Sequence, residues 1–226
     1  MTEKRSTKTI IGLIIAGVLA IIVALGALGF FQFYQTADNL YKQGNVFGEA
    51  PMKDGAYTAV KITGYAKNPI ATIDGGTKLY LIEFSKTDTD DFGYASIEVK
   101  DGDKLIDKLN AADDLVENPV IVAAKIRKSG ADGAVRNYTI EFKDTISENE
   151  TISKLAETEY YASVYEFDKD RQFSYIIAGI AGIIALVFFY SAFATRKSED
   201  KAYNELYSAY PELNYSMDSV LEDATY

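Results

Sequence analysis

The chain has 226 residues and a formal net charge of −10, and it contains neither cysteine nor histidine. The missing thiols and imidazoles exclude disulfides, the usual zinc sites and histidine-based catalytic triads, and no cofactor or metal site is predicted. The acidic balance disfavours nucleic acid as a partner, and the lack of cysteine in a chain with apolar runs points to a bacterial envelope.

The first apolar run, IIGLIIAGVLAIIVALGALGFF at 10–31, carries no charged residue. A helix of about 22 residues reaches roughly 33 Å, enough to cross the hydrocarbon layer of a bilayer. A cleaved signal peptide is the alternative, but its apolar region is usually about 7–15 residues long and ends at a small-x-small site. We therefore predict a transmembrane helix that continues as a helical stalk over 32–44, closed by Lys42 and Gly44.

The composition of 45–146 changes to alternating apolar and polar residues with turn residues between them. Leu105, Ile106 and Leu109 stand at helical spacing behind Asp103, a suitable N-cap. The alternation predicts strands on both sides of this helix, at 56–64, 78–84, 94–99, 118–128 and 135–142.

The resulting order β-β-β-α-β-β resembles the OB-fold, a small five-stranded Greek-key barrel. The resemblance covers about residues 55–143 and rests on element order, which other small β-rich sandwiches with one helix would share. It implies a compact, mainly β domain.

A capping-box pattern, Ser147-x-x-Glu150, opens the next segment, which has no glycine or proline before the second apolar run. This pattern predicts a second helical stalk over 147–171 that runs unbroken into that run. The alternative is a short helix followed by an extra strand, because YYASVYEF at 160–167 is rich in β-forming residues.

The second apolar run, 172–195, has aromatic residues near its ends and Arg196 directly after it. This pattern is typical of a transmembrane helix with interfacial anchors. Because flanking cations favour the cytoplasm, both termini are predicted to be cytoplasmic and the central domain extracytoplasmic. The flanking cations are Lys4, Arg5 and Lys8 before the first span, and Arg196, Lys197 and Lys201 after the second.

The predicted organisation is thus a plasma-membrane protein with two spans. Its segments are a cytoplasmic N-terminus (1–9), transmembrane helix 1 (10–31), a helical stalk (32–44), the OB-like extracytoplasmic domain (45–146), a second helical stalk (147–171), transmembrane helix 2 (172–195) and a tyrosine-rich acidic cytoplasmic tail (196–226).

Three sets of residues are candidates for interactions. Small residues at four-residue spacing let helices approach closely in lipid, where close packing drives association. These helix-packing candidates are Gly12, Ala16, Ala20, Ala24, Ala178 and Gly182. A cationic cluster on the last predicted hairpin could meet headgroups, wall polymer or an acidic protein; its members are Lys125, Arg127, Lys128, Arg136 and Lys143. An aromatic face of the tail could lie in the membrane interface or dock on a cytoplasmic partner; it consists of Tyr203, Leu206, Tyr207 and Tyr210.

The leading hypothesis is a non-enzymatic membrane protein that presents an interaction domain outside the cell, as an accessory or assembly subunit of an envelope complex. In this respect the chain resembles two-span bacterial envelope proteins. The expected partners are membrane lipid and a protein or second copy that meets the transmembrane helices.

Two alternatives remain. A membrane-tethered enzyme could use carboxylates on neighbouring strands, such as Glu83 and Glu98, for acid–base chemistry. A sensor could couple binding at the outer domain to the cytoplasmic tail. The acidic loop with Asp88, Asp90 and Asp91 lacks the further ligands of an EF-hand, so we interpret it as a solvated loop.

Overall fold

The computed structural model describes residues 2–49, 51–73, 76–86, 91–129 and 154–209. Leu28–Tyr175 forms one compact unit, and the helical segments before and after it form another. The elements in chain order are α1 (Thr2–Gly29), a π-helical turn (Phe30–Tyr34), α2 (Ala37–Lys42), β1 (Tyr57–Tyr65), β2 (Ala71–Ile73), β3 (Thr77–Ser85), β4 (Phe92–Lys100), α3 (Lys104–Ala111), β5 (Val120–Lys128), β6 (Tyr160–Ser163) and α4 (Val164–Ala209).

Two helical stretches in the described residues are long and apolar enough to cross a membrane, Thr7–Tyr34 and Val164–Leu206. They contain the two predicted apolar runs, so the expectation that both runs are helical is confirmed. Their apolar residues point outward all around each helix, and most of their large side chains are exposed.

Five strands of the unit Leu28–Tyr175 close into a barrel in the order β1-β3-β4-β6-β5, with β5 returning to β1. β1 serves two neighbours, because its first part pairs with β5 and its last part with β3. The β1–β3 register shifts between Ile62 and Gly64, and such a bulge bends a strand sharply enough to turn a barrel corner. β2 pairs only with the first part of β3. The result fits the OB-like arrangement expected from the element order.

Four of the predicted strands are confirmed, at 56–64, 78–84, 94–99 and 118–128, as β1, β3, β4 and β5. The predicted helix is also confirmed as α3, and the Asp103 carboxylate accepts the backbone N–H of Leu105 at 2.8 Å. The short strand β2 was not predicted. The predicted strand at 135–142 lies outside the described residues.

The prediction of an unbroken helix over 147–171 is wrong where it meets β6, and residues 147–153 lie outside the described part. Tyr160–Ser163 pair in parallel with β4 and antiparallel with β5, and α4 begins at the next residue. Both neighbouring strands would otherwise present unpaired backbone groups at this gap, so tertiary pairing outweighs the local helical preference. The alternative reading of 160–167 as containing an extra strand is the correct one.

The predicted stalk over 32–44 is also interrupted. The helical path ends at Gln35, and Thr36 caps a separate helix, α2, by accepting the backbone N–H of Asn39 at 3.3 Å. Leu40 is only 1% exposed, so α2 is packed into the unit and is not a free stalk. Gly44 ends it with a φ of 74°, a conformation that suits glycine.

The barrel interior is filled with side chains from alternate positions of its strands, and α3 adds Leu105 and Leu109 to the same core. The fully buried members are Phe47, Val60, Ile62, Ile82, Ala95, Ile97, Val99, Ala124 and Ala162. Their neighbours along each strand therefore face outward, and those outward positions carry the polar groups of the unit.

We expect Gly48→Ala to destabilise the barrel more than Gly55→Ala. Both glycines have positive φ angles, 87° and 83°, so each alanine incurs roughly 1–2 kcal/mol of backbone strain. A Cβ at Gly48 would also lie 2.5 Å from the ring of Phe84, whereas Gly55 has open space. Overpacking of this kind costs about 1–3 kcal/mol more. Thermal unfolding of the full chain in detergent measures the difference, and equal losses would contradict the contact with Phe84.

Candidate interaction sites

A buried carboxylate lies on the outer face of the barrel. Because Ile97 and Val99 point inward, Glu98 points outward, and the β4–β6 register places it opposite Ser163. The Glu98 carboxylate accepts the Ser163 hydroxyl at 2.6 Å and the Thr77 hydroxyl at 3.1 Å. Burial raises the pKa of Glu98, and the two hydroxyl donors oppose that increase.

Ser163 links this carboxylate to the start of α4. Its hydroxyl oxygen accepts the backbone N–H of Glu166 at 2.9 Å, which is the capping geometry of a helix N-terminus. Glu166 and Asp170 are four residues apart and therefore share one face of α4. That face lies over the outward-pointing cations of β5.

The contacts between α4 and β5 are ion pairs. Lys125 Nζ lies 2.7 Å from Asp170 and 3.8 Å from Glu166, and Arg127 lies 3.2 Å from Glu166. The Tyr57 hydroxyl donates to Asp170 at 2.9 Å. Burial and this carboxylate raise the pKa of Tyr57 well above its usual value. These partly buried pairs hold the first turns of α4 against the barrel.

The predicted cationic cluster is thus largely engaged within the unit. Besides the pairs above, Arg127 lies 3.3 Å from Asp54 and Lys128 lies 3.3 Å from Glu159. Arg136 and Lys143 lie outside the described residues. The sequence showed the cations on β5 but not the acids on α4 that pair with them, because Lys125 and Asp170 are 45 residues apart in the chain.

Glu83 and Glu98 do not form a carboxylate pair. In the β3–β4 register Glu83 is opposite Tyr94, whereas Glu98 is opposite Leu79. The two acids are therefore about 13 Å apart along the strands, beyond the roughly 5–10 Å that glycosidic acid–base pairs span. Of the acidic loop, Asp88 and Asp90 lie outside the described residues.

An aromatic cluster joins the two segments through which the chain enters and leaves the unit. Phe31, directly after α1, contacts Phe167 of α4 with ring centroids 5.6 Å apart. Tyr57 of β1 contacts both, at 5.5 Å and 5.4 Å. Phe31 and Phe167 are buried, so apolar packing holds the two connecting segments side by side.

A cleft of about 330 Å³ opens beside this cluster, and we call it the entry cleft. Its lining includes the apolar side chains of Phe31, Leu105 and Phe167 and the charged side chains of Lys108 and Arg171. Arg171 is paired with Asp168 at 2.8 Å, which also lines the cleft. Burial raises the pKa of Asp168, although Arg171 opposes the change.

Exposed aromatic side chains surround the same two connecting segments. They follow α1 within the π-helical turn, and they precede the apolar stretch of α4. Tyrosine rings, which are apolar but carry a polar hydroxyl, are enriched at the level of lipid headgroups. The exposed rings are Phe30, Phe33, Tyr34, Phe173 and Tyr175.

The apolar helices outside this unit show a close contact that was not predicted. Gly17 of α1 is buried, and a Cβ on it would lie 3.0 Å from the ring of Phe189 in α4. Among the predicted packing residues, Ala178 is buried, whereas Gly12 and Gly182 have open space where a side chain would be. Ala16, Ala20 and Ala24 are half-buried. A glycine in the middle of an apolar run was the available signal for Gly17.

In the tail, α4 extends to Ala209, and Tyr203 and Leu206 are exposed on it. The structure does not describe the side chain of Tyr207 or any part of Tyr210, so the predicted aromatic face stays a prediction.

Comparison of the chain with protein-family models, with curated proteins and with solved structures finds no match.

We expect Glu98→Gln to stabilise the protein at neutral and higher pH. The raised pKa of Glu98 means that its ionised form is disfavoured in the folded state. This cost is fully present above the folded pKa and disappears as the pH falls through it towards the unfolded value near 4.5. The advantage of the variant should therefore shrink on acidification.

Thermal unfolding of the full chain in detergent at a series of pH values tests this expectation. Glu117→Gln is the matched control, because Glu117 is exposed and has no burial cost to lose. A Glu98→Gln variant that is less stable at every pH would show that the hydroxyl donors and Arg127 outweigh the burial of the charge.

Proposed function

We propose that this chain is an integral membrane protein that presents its OB-like barrel outside the cell for non-enzymatic interactions, as an accessory or assembly subunit of an envelope complex. The observation that carries the proposal is the exposed apolar surface of the two long helices. In water such surface would be strongly unfavourable, whereas a bilayer covers it at no cost.

The exposed tyrosines Tyr34 and Tyr175 support the same placement. They follow one apolar helix and precede the other, at the positions where a span would meet the headgroup layer. The cations Lys8 and Arg196 flank the far ends of the two spans, which supports cytoplasmic termini and an outer barrel.

The filled barrel interior supports an interaction domain. Its core positions are occupied by side chains such as Phe47 and Ile97, so a partner would meet the outer faces and loops of the barrel. OB-like barrels bind their ligands on such surfaces. Two-span bacterial envelope proteins, which the sequence resembles in organisation, offer the same arrangement for assembly.

The open glycines support an intramembrane partner. Gly12, Gly179 and Gly182 each have no atom within 4 Å of a Cβ position, so a helix of another subunit could approach them closely. We propose that this partner is a protein subunit or a second copy of the chain.

We expect single cysteines to report the proposed topology directly, because the chain has none of its own. Val116 is 71% exposed in the barrel unit, so Val116→Cys in intact cells should react with a membrane-impermeant maleimide. Ser208→Cys, near the end of α4, should react only after the cells are permeabilised. Labelling of Ser208→Cys in intact cells, or protection of Val116→Cys, would contradict the topology.

We expect two glycine-to-leucine variants to separate packing within the chain from packing with a partner. Ala20 and Ala185 each lie about one helical turn from the Gly17–Phe189 contact on their own helices, so we expect a disulfide crosslink between Ala20→Cys and Ala185→Cys. Gly17→Leu should weaken this crosslink, because its side chain would collide with Phe189. Gly182→Leu should preserve that crosslink and reduce the recovery of a co-purifying subunit or second copy in mild detergent. Both are measured on membranes from the native host.

Ile183→Leu is the control for an apolar substitution beside this site, since Ile183 is 64% exposed and its side chain is already large. If Gly182→Leu and Ile183→Leu leave the same co-purifying material as the unchanged chain, the intramembrane partner is excluded from the Gly182 face of α4.

A further inference from the structure

The entry cleft has the size and composition of a binding site for a small polar group with an apolar extension. Its volume of about 330 Å³ is within the range of ligand pockets, roughly 300–1,000 Å³. Its lining combines apolar side chains, including Phe31, Leu105 and Phe167, with charged ones. All of these residues belong to the unit Leu28–Tyr175.

Gln35 lines the cleft, and its side-chain oxygen is buried. The side-chain oxygen of Gln35, at the break between the π-helical turn and α2, is buried and accepts no hydrogen bond from the described residues. A buried acceptor without a donor is unfavourable, and such groups in folded proteins are usually completed by a ligand or water. A hydrogen-bond donor on a molecule in the cleft would satisfy this acceptor after rotation of the Gln35 side chain towards the cleft.

The rim of the cleft supplies positive charge. Lys104 and Lys108 are four residues apart on α3, so they share a face, and both are exposed. Neither forms an ion pair with a described residue. Arg171 adds a third cation from α4.

Two carboxylates also line the cleft, and each already has a partner. Asp168 is paired with Arg171 at 2.8 Å, and Asp103 accepts the backbone N–H of Leu105 at 2.8 Å. The three cations that line the cleft exceed its two carboxylates by one charge, so the cleft favours an anion such as a phosphate group.

We propose that the entry cleft binds the headgroup of an anionic glycerophospholipid, with the chemistry of phosphatidylglycerol. The phosphate would meet Lys104, Lys108 and Arg171, a glycerol hydroxyl would donate to the Gln35 oxygen, and the acyl end would follow the wall at Phe31 and Phe167. The inference rests on the membrane insertion of the proposed function, because lipid reaches the cleft from the bilayer beside the two connecting segments.

Retention of lipid by the full chain tests this site. The protein in a neutral maltoside detergent is equilibrated with an equimolar mixture of phosphatidylglycerol and phosphatidylcholine, and bound lipid is counted by native mass spectrometry. We expect preferential retention of phosphatidylglycerol. The double variant Lys104→Gln with Lys108→Gln should reduce this retention about tenfold, because it removes two of the cations that would contact the phosphate. The control, Lys53→Gln with Lys67→Gln, makes the same charge change at exposed positions that do not line the cleft.

Gln35→Met gives an independent readout. It removes the partnerless acceptor with little change in size, so without lipid the thermal stability of the protein should be preserved or increased. Retention of phosphatidylglycerol should nevertheless fall, because the hydroxyl loses its acceptor. Unchanged retention in both the Gln35 and the lysine variants would overturn the site, as would an equal loss in the Lys53 and Lys67 control.

A binding experiment with a water-soluble, short-chain lipid tests this inference separately from the proposed function. Dihexanoyl-phosphatidylglycerol, below its micellar concentration, should bind with the same dependence on Lys104 and Lys108, and glycerol 3-phosphate should bind much more weakly. If glycerol 3-phosphate binds as tightly, the site is a phosphate site and the lipid assignment is wrong. If the cysteine labels contradict membrane insertion while the short-chain lipid still binds, the topology falls and the cleft chemistry stands.

Discussion

The pairing of β6 is the constraint on which the rest of the unit depends. Its four residues, Tyr160–Ser163, fill the gap between β4 and β5 and so close the barrel. Without β6 both neighbours would expose a row of unpaired backbone groups. Because α4 begins at Val164, the same short strand also fixes where this helix leaves the barrel. The same four residues therefore close the barrel and determine where α4 begins.

Electrostatic pairing secures the helix that follows this strand. Glu166 and Asp170 lie over Lys125 and Arg127, and Ser163 links the helix start to the buried Glu98. Partly buried ion pairs of this kind stabilise a fold only when their geometry is good. Removing one partner would leave the other charge partly buried and uncompensated, which would lower the free energy of unfolding. The cations of β5 therefore serve first to position α4, and an external acidic partner would have to compete with carboxylates already in contact.

The surface between the two connecting segments is involved in both proposals, membrane attachment and lipid binding. The packing of Phe31 on Phe167 brings together two parts of the chain that are far apart in sequence, and it leaves the entry cleft beside them. Exposed aromatic residues lie on these segments, and the exposed lysines Lys104 and Lys108 of α3 line the cleft. In the proposed placement, lipid would lie beside these segments and a protein partner would meet other faces of the barrel.

The local periodicity of the sequence was sufficient to predict the two apolar helices, four strands, and α3 with its cap at Asp103, because those features depend on residues close together in the chain. The tyrosine-rich segment at 160–163 could be read as helix or strand, and only its pairing with β4 and β5 decided for the strand. The salt bridges of Lys125, the partnerless Gln35 oxygen and the contact of Gly17 with Phe189 likewise depend on segments distant in sequence. Alternation and capping are properties of neighbouring residues, whereas barrel closure, charge pairing and cleft formation exist only once the chain has folded back on itself.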